Sequence, residues 1–226
     1  MSTGPTHLVT ETVALSDLAL AAFCPRKLYY ARTRDRSVPE EYRSAVELST
    51  KYGAILEGRE AALVDRDLGV DSTTYVSNLE TSRRRLEAWP SIADPPVVDA
   101  FLAGKSVHGR VEKVLEKLPA PSLVSPGEPP PEGVWQPQAV RAVGAAKALS
   151  WEREHPVERA YVEYPRYGVV RAVPLTTRRK AAYRRTLRSI EAMDGPPPRL
   201  GDESKCRSCE FAENCGVRTR SLRSLL

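Results

Sequence analysis

Three cysteines fall within ten positions near one end of the chain, in KCRSCEFAENCG (205–216), and the only other cysteine, Cys24, lies far upstream in AAFCPRKLYY (21–30). Cys206 and Cys209 have C-x2-C spacing, and Cys215 follows five residues later. If all four thiols serve one centre, the fold must bring its two ends together, whatever lies between. Four cysteines in a reducing compartment read as metal ligands rather than disulfides.

That compartment is an expectation from the sequence. MSTGPTHLVTETVAL (1–15) lacks a basic stretch followed by an apolar block, so it does not read as a secretory signal. No run of 18 apolar residues suggests a membrane span, so the chain reads as cytoplasmic with no membrane partner. At 226 residues, 41% hydrophobic and 28% charged, it can build one substantial core or one domain with a small appendage. The net charge of +5, with arginine outnumbering lysine toward the C-terminus, favours a polyanionic partner, nucleic acid being the commonest. A solvated basic surface without a partner is the plainer alternative.

Helix, strand, helix, hairpin and helix follow in turn, predicting an α/β or α+β domain. Ser16 suits the N-cap of DLALAAF, and Pro25 suits the first turn of a second helix. A long helix is expected over 45–67, closed by Gly69. STTYVSN (72–78) reads as a strand, TSRRRLEAW (81–89) as a basic helix or loop, and KSVHGRVEKVLEK (105–117) as a strand. Six prolines in 119–133 predict an exposed loop. A helix is expected over 137–154 with Pro137 at its start, and a hairpin over 158–175 turning near Tyr167–Gly168. The last long helix, 177–193, takes Thr177 as its cap, with an apolar stripe of Tyr183, Leu187 and Ile190. Its arginines 178, 179, 184, 185 and 188 lie largely off that stripe, as a solvated face or as contacts to a phosphate backbone. His7, His108 and His155 read as surface or structural side chains.

Zinc sites more often assemble from two short cysteine pairs, whereas iron–sulfur clusters accept several ligands in one run and one distant ligand. Cys24, Cys206, Cys209 and Cys215 therefore suit an iron–sulfur cluster, with zinc as the alternative. Arg26, Lys205 and Arg207 nearby are expected to favour thiolates.

The C-P-R-x-x-Y-Y context of Cys24, joined to a terminal C-x2-C-x5-C, resembles the CRISPR-associated exonucleases of the RecB-like superfamily, the Cas-four type. The order between the cysteines is similar too. KYGAILEGREAAL (51–63) looks like the helix of the family's first-motif histidine, and VHGRVEKVLE (107–116) like the strand ending in its G-x-x-D aspartate. WQPQAVRAVGAAKALSWE (135–152) looks like the helix after the active site, with Gln138 at the family's glutamine position, and GVVRAVPL (168–175) like the segment leading to the cysteines. The resemblance spans about residues 15–216.

It implies a restriction-endonuclease-like PD-(D/E)XK core sheet flanked by helices, under a helical cap in which the four cysteines hold a 4Fe-4S cluster. The implied division is a helical part at 1–70, a nuclease core at 71–175 and a cluster-completing part at 176–226. It further implies metal-dependent hydrolysis of DNA, at single strands or ends, with Mg2+ or Mn2+, and CRISPR integrase proteins as partners in spacer acquisition. Such chemistry needs carboxylates and an imidazole on the metal and a lysine at the attacking water.

The chain departs from that pattern at the chemistry itself. Glu57 stands at the histidine position and Glu112 at the aspartate position, where it remains a candidate Mg2+ or Mn2+ ligand. Ser125 and Gly127 fall where E-x-K should be, with Glu128 nearby among prolines. Losing one such electrostatic group costs about 10²–10³ in rate. The sequence thus reads as a cluster-bearing DNA-binding protein with an impaired nuclease site, its catalytic candidates reduced to Glu112, Glu57 and Gln138. The alternatives are an active exonuclease using Glu112, and a zinc-stapled module partnering a nuclease or integrase.

Overall fold

The computed structural model describes residues 12–34, 37–59, 68–207 and 209–216. A mixed six-stranded sheet runs in the order β1-β3-β4-β5-β6, with β2 also paired to β3. These strands are β1 (Val13–Ala14), β2 (Val97–Ala103), β3 (Val107–Leu115), β4 (Ala120–Val124), β5 (Arg159–Tyr164) and β6 (Val169–Pro174). β3 pairs antiparallel with β2 and β4, whereas β4 and β5 are parallel and need a crossover between them. That crossover is helix α7.

Helices cover both faces of the sheet. α1 (Leu15–Phe23), α7 (Gln136–Glu152) and α8 (Thr177–Glu191) build one apolar cluster with Val107, Val111, Leu123 and Val162. α3 (Glu40–Ser49), α4 (Tyr52–Leu56), α5 (Ser72–Arg85) and α6 (Trp89–Ala93) build a second against Leu115, Ala120, Tyr161 and Val170. α2 (Pro25–Ala31) and the short α9 (Glu203–Arg207) complete the helices among the described residues. The fold is α/β, as expected, and none of the described helices is long and apolar enough to cross a membrane.

α7 is the hub. Most of its buried residues are small, Ala139, Ala142, Gly144, Ala145, Ala146 and Ala148, so neighbours approach closely. A Cβ on Gly144 would stand 2.6 Å from Leu18 Cδ1, which is how near α1 comes.

Several expectations need correction. STTYVSN is no strand: Asp71 caps α5 by accepting from the Thr74 amide at 2.9 Å, and Tyr75, Leu79 and Ser82 recur at helical spacing on its buried side. The proline-rich stretch is not all exposed loop, because β4 within it is buried and central, with Pro121 opposite Val114 near its start. Ser16 lies inside α1, whose N-cap is Ala14, and the cap of α8 is Thr176, which accepts from the Arg179 amide at 3.4 Å. The long helix expected over 45–67 breaks at Thr50–Lys51 into α3 and α4, and residues 60–67 lie outside those described. The hairpin at β5–β6 forms as expected, turning through Gly168 at φ 64°.

Candidate metal centre

Cys24 occupies the elbow between α1 and α2, closing the first helix with its amide on Leu20 O (2.9 Å) and preceding Pro25, whose missing N–H suits a first turn. At the other end, α9 and the turns after it carry Cys206, Cys209 and Cys215. Cys209 N donates to Cys206 O (3.2 Å), Ala212 N to Cys209 O (3.0 Å) and Cys215 N to Phe211 O (3.0 Å). The backbone winds in tight turns that bring all three residues to one cavity.

All four cysteines line a single small cavity, together with Phe23, Lys27, Leu200, Lys205 and Ala212. None is in a disulfide. Among the described residues, no three His, Cys, Asp or Glu side chains converge as ligands of a single metal ion.

Contacts around the thiols lock the two ends independently of any metal. Arg26 donates to Pro197 O (2.8 Å), Tyr30 OH donates to Asn214 O (3.2 Å), and Lys27 pairs with Glu210 at 3.1 Å. Tyr30 stacks on the buried Phe211 with ring centroids 6.0 Å apart, and Arg34 lies 4.8 Å over the same ring. Lys27 and Lys205 sit over Phe23 at 5.4 and 5.6 Å. The surrounding cations were expected to favour thiolates. For Cys206 the net effect is opposite: burial, then the neighbouring Cys24, Cys209 and Cys215, push its thiol pKa up. A metal bound among the four sulfurs would reverse that effect and favour the thiolate form.

The nuclease candidates lie elsewhere. Glu112, on β3, is held by three donors: Tyr42 OH of α3, the Val124 amide of β4 at 2.8 Å, and the Arg141 guanidinium of α7 at 3.3 Å. Burial, followed by the Glu112 charge, pushes Tyr42 up to about 12, so it stays a donor. Burial alone would lower the Arg141 pKa; Glu112 and Tyr42 outweigh it and keep Arg141 charged. Gln138, one turn before Arg141, donates to Ser125 Oγ (2.6 Å) and accepts from Tyr164 OH. Glu112, Gln138 and Ser125 are therefore brought into one neighbourhood.

Glu57 is not part of it. It caps α4 at the surface, paired with Arg59, and lines a separate groove beside Trp89 and Asp94. Glu128 offers its carbonyl to Trp135 Nε1 at 2.8 Å, and Lys205 belongs to the cysteine cavity. His108 bonds Thr12 through Nδ1 (2.7 Å), His155 is exposed, and His7 lies outside the described residues.

Sequence reasoning missed Tyr42, Arg141 and Tyr164. Arg141 had a signal, since it stands three residues after Gln138 on one helix face. It also missed a buried network one residue from Glu112: Lys113 donates to Glu163 (2.8 Å), Ser49 O (2.7 Å) and Ile92 O (2.9 Å), and Ser122 donates to Glu163 at 2.6 Å.

The chain matches no family model and no curated protein.

Proposed function

We propose that the chain is a DNA-binding iron–sulfur protein of Cas-four-like type whose nuclease centre has lost its metal chemistry. The observation that carries this reading is the single cavity lined by Cys24, Cys206, Cys209 and Cys215. Three thiols in one short run with a single distant fourth suit an iron–sulfur cluster better than the two short pairs usual for tetrahedral zinc. Those four cysteines would hold it, and it would supply a covalent tie between the chain's ends, beside the aromatic and ionic contacts already there. Bound there, the cluster would serve as a staple.

The Glu112 site supports the loss of chemistry. Where a nuclease of this kind needs a divalent cation between carboxylates, Glu112 meets the Arg141 guanidinium and two further donors. Its oxygens already face a fixed cation, and no group of three or more His, Cys, Asp or Glu side chains that could hold a metal ion gathers there among the described residues. The E-x-K place holds Ser125, engaged with Gln138. What remains is a fold with a basic α8 face, suited to gripping phosphates rather than cutting between them.

The test is to incubate anaerobically purified protein with 5′-labelled single-stranded DNA and Mn2+ or Mg2+, beside Glu112→Ala. The expected result is retained binding that weakens steeply with salt, with no metal-dependent degradation by either protein. Degradation by the wild type that disappears in Glu112→Ala would overturn the reading and make Glu112 a metal ligand.

A further inference from the structure

Near the C-terminal end of α7, Trp151 stands 58% exposed, an unusual position for a large indole. It borders a groove of about 400 Å³ between α7, the β2–β3 turn and α8, whose lining includes Lys105, Ser106, Lys147, Tyr183 and Arg184. None of the described lining residues is acidic. No side-chain hydrogen bond or ion pair engages Lys105, Lys147 or Arg184 among the described residues. The acid next in sequence, Glu152, is turned to the Ala103 amide at 2.5 Å. Three unneutralised cations around an open aromatic face therefore await a ligand that is both anionic and planar.

A second basic groove, of about 550 Å³, lies where the N-terminal parts of α7 and α8 meet, lined in part by Gln136, Thr176, Arg178, Arg179 and Arg185. Tyr183 is largely buried and packs at Gly144 beside Leu18 of α1, so the two grooves are separate openings rather than one continuous channel. An acidic peptide or a lipid headgroup would satisfy the cations but not the indole, and a duplex keeps its base faces covered. An unpaired base offers a face to Trp151 while its phosphates meet the lysines and arginine.

We propose that single-stranded DNA binds in the groove between α7, the β2–β3 turn and α8, one base stacked on Trp151 and its flanking phosphates on Lys105, Lys147 and Arg184. This rests on the DNA-binding reading above and gives the strand a face that includes none of the groups around Glu112.

The test is fluorescence anisotropy of a labelled oligothymidine of about 15 nucleotides with the full chain and with Trp151→Ala, Trp151→Phe and Lys147→Gln, beside a duplex of equal length. Trp151→Ala is expected to weaken single-strand binding about 10- to 100-fold, with Trp151→Phe retaining most of it. Lys147→Gln should make the log–log salt slope shallower by about 0.7. The duplex should bind more weakly and ignore Trp151→Ala. Wild-type binding unaffected by both Trp151→Ala and Lys147→Gln overturns this placement and leaves the proposed function standing. A duplex bound as tightly, and weakened as much by Trp151→Ala, also overturns it. No binding by the wild type at all overturns both.

Discussion

At the scale of single residues, the centre of interest is the contact between Glu112 and Arg141. The Glu112 side chain is 7% exposed and that of Arg141 20%, so their charges are largely removed from water. Removing one partner of such a pair leaves the other stranded, and the cost exceeds the pair's net worth. Arg141→Met should lower stability by roughly 2–4 kcal/mol in urea unfolding, whereas Glu112→Gln combined with Arg141→Met should recover most of that loss. Additive losses in the double variant would show that the two do not act as a pair. Glu112 and Gln138 were legible in the sequence as candidates because they fall at recognisable motif positions. Their meaning was not, because it depends on Tyr42 and Arg141, which arrive from α3 and α7. The buried Lys113–Glu163 pair was invisible for the same reason: its members lie fifty residues apart and neither stands at a recognised motif position.

At the scale of elements, local chemistry overrode composition in two places. The β-branched and aromatic residues of STTYVSN suggested a strand, yet the Asp71 cap and the spacing of Tyr75, Leu79 and Ser82 make it the start of α5. Prolines concealed β4, whose Ser122, Leu123 and Val124 pair with Tyr161, Val162 and Glu163. The β5–β6 hairpin, by contrast, was readable because its turn needs a residue at positive φ and the sequence supplies Gly168 there. The same glycine packs against α5. A Cβ on it would lie 2.6 Å from the Tyr75 carbonyl oxygen, a backbone atom that cannot swing away. Gly168→Ala should therefore cost about 2–4 kcal/mol by left-handed strain and overpacking together. Gly127→Ala, which meets nothing within 4 Å, should change stability by less than about 0.5 kcal/mol. Thermal unfolding of the two variants side by side checks the contrast, and equal midpoints would contradict it.

At the scale of the whole molecule, residues 24–34 and 197–215 form one structure. The α1–α2 elbow brings Cys24 beside Cys206, Cys209 and Cys215, while Arg26, Lys27, Tyr30 and Arg34 grip the segment from Pro197 to Asn214. The cysteine spacing made this closure the most readable feature of the chain, since a distant fourth thiol has no other evident use. The aromatic and cationic contacts that reinforce it were not readable, because Tyr30 and Phe211 meet only after the ends do. The basic α8 face was visible as a run of arginines. Its pairing with Lys105, Lys147 and Trp151 depends on where α7 and the β2–β3 turn are placed by the sheet.

The central claim, that these four cysteines hold a multi-iron cluster on a nuclease-like fold, is tested most directly by the iron, acid-labile sulfide and zinc content of anaerobically purified protein. A brown protein with roughly four iron and four sulfide per chain is the predicted result. A colourless protein with about one zinc per chain and no sulfide would contradict it.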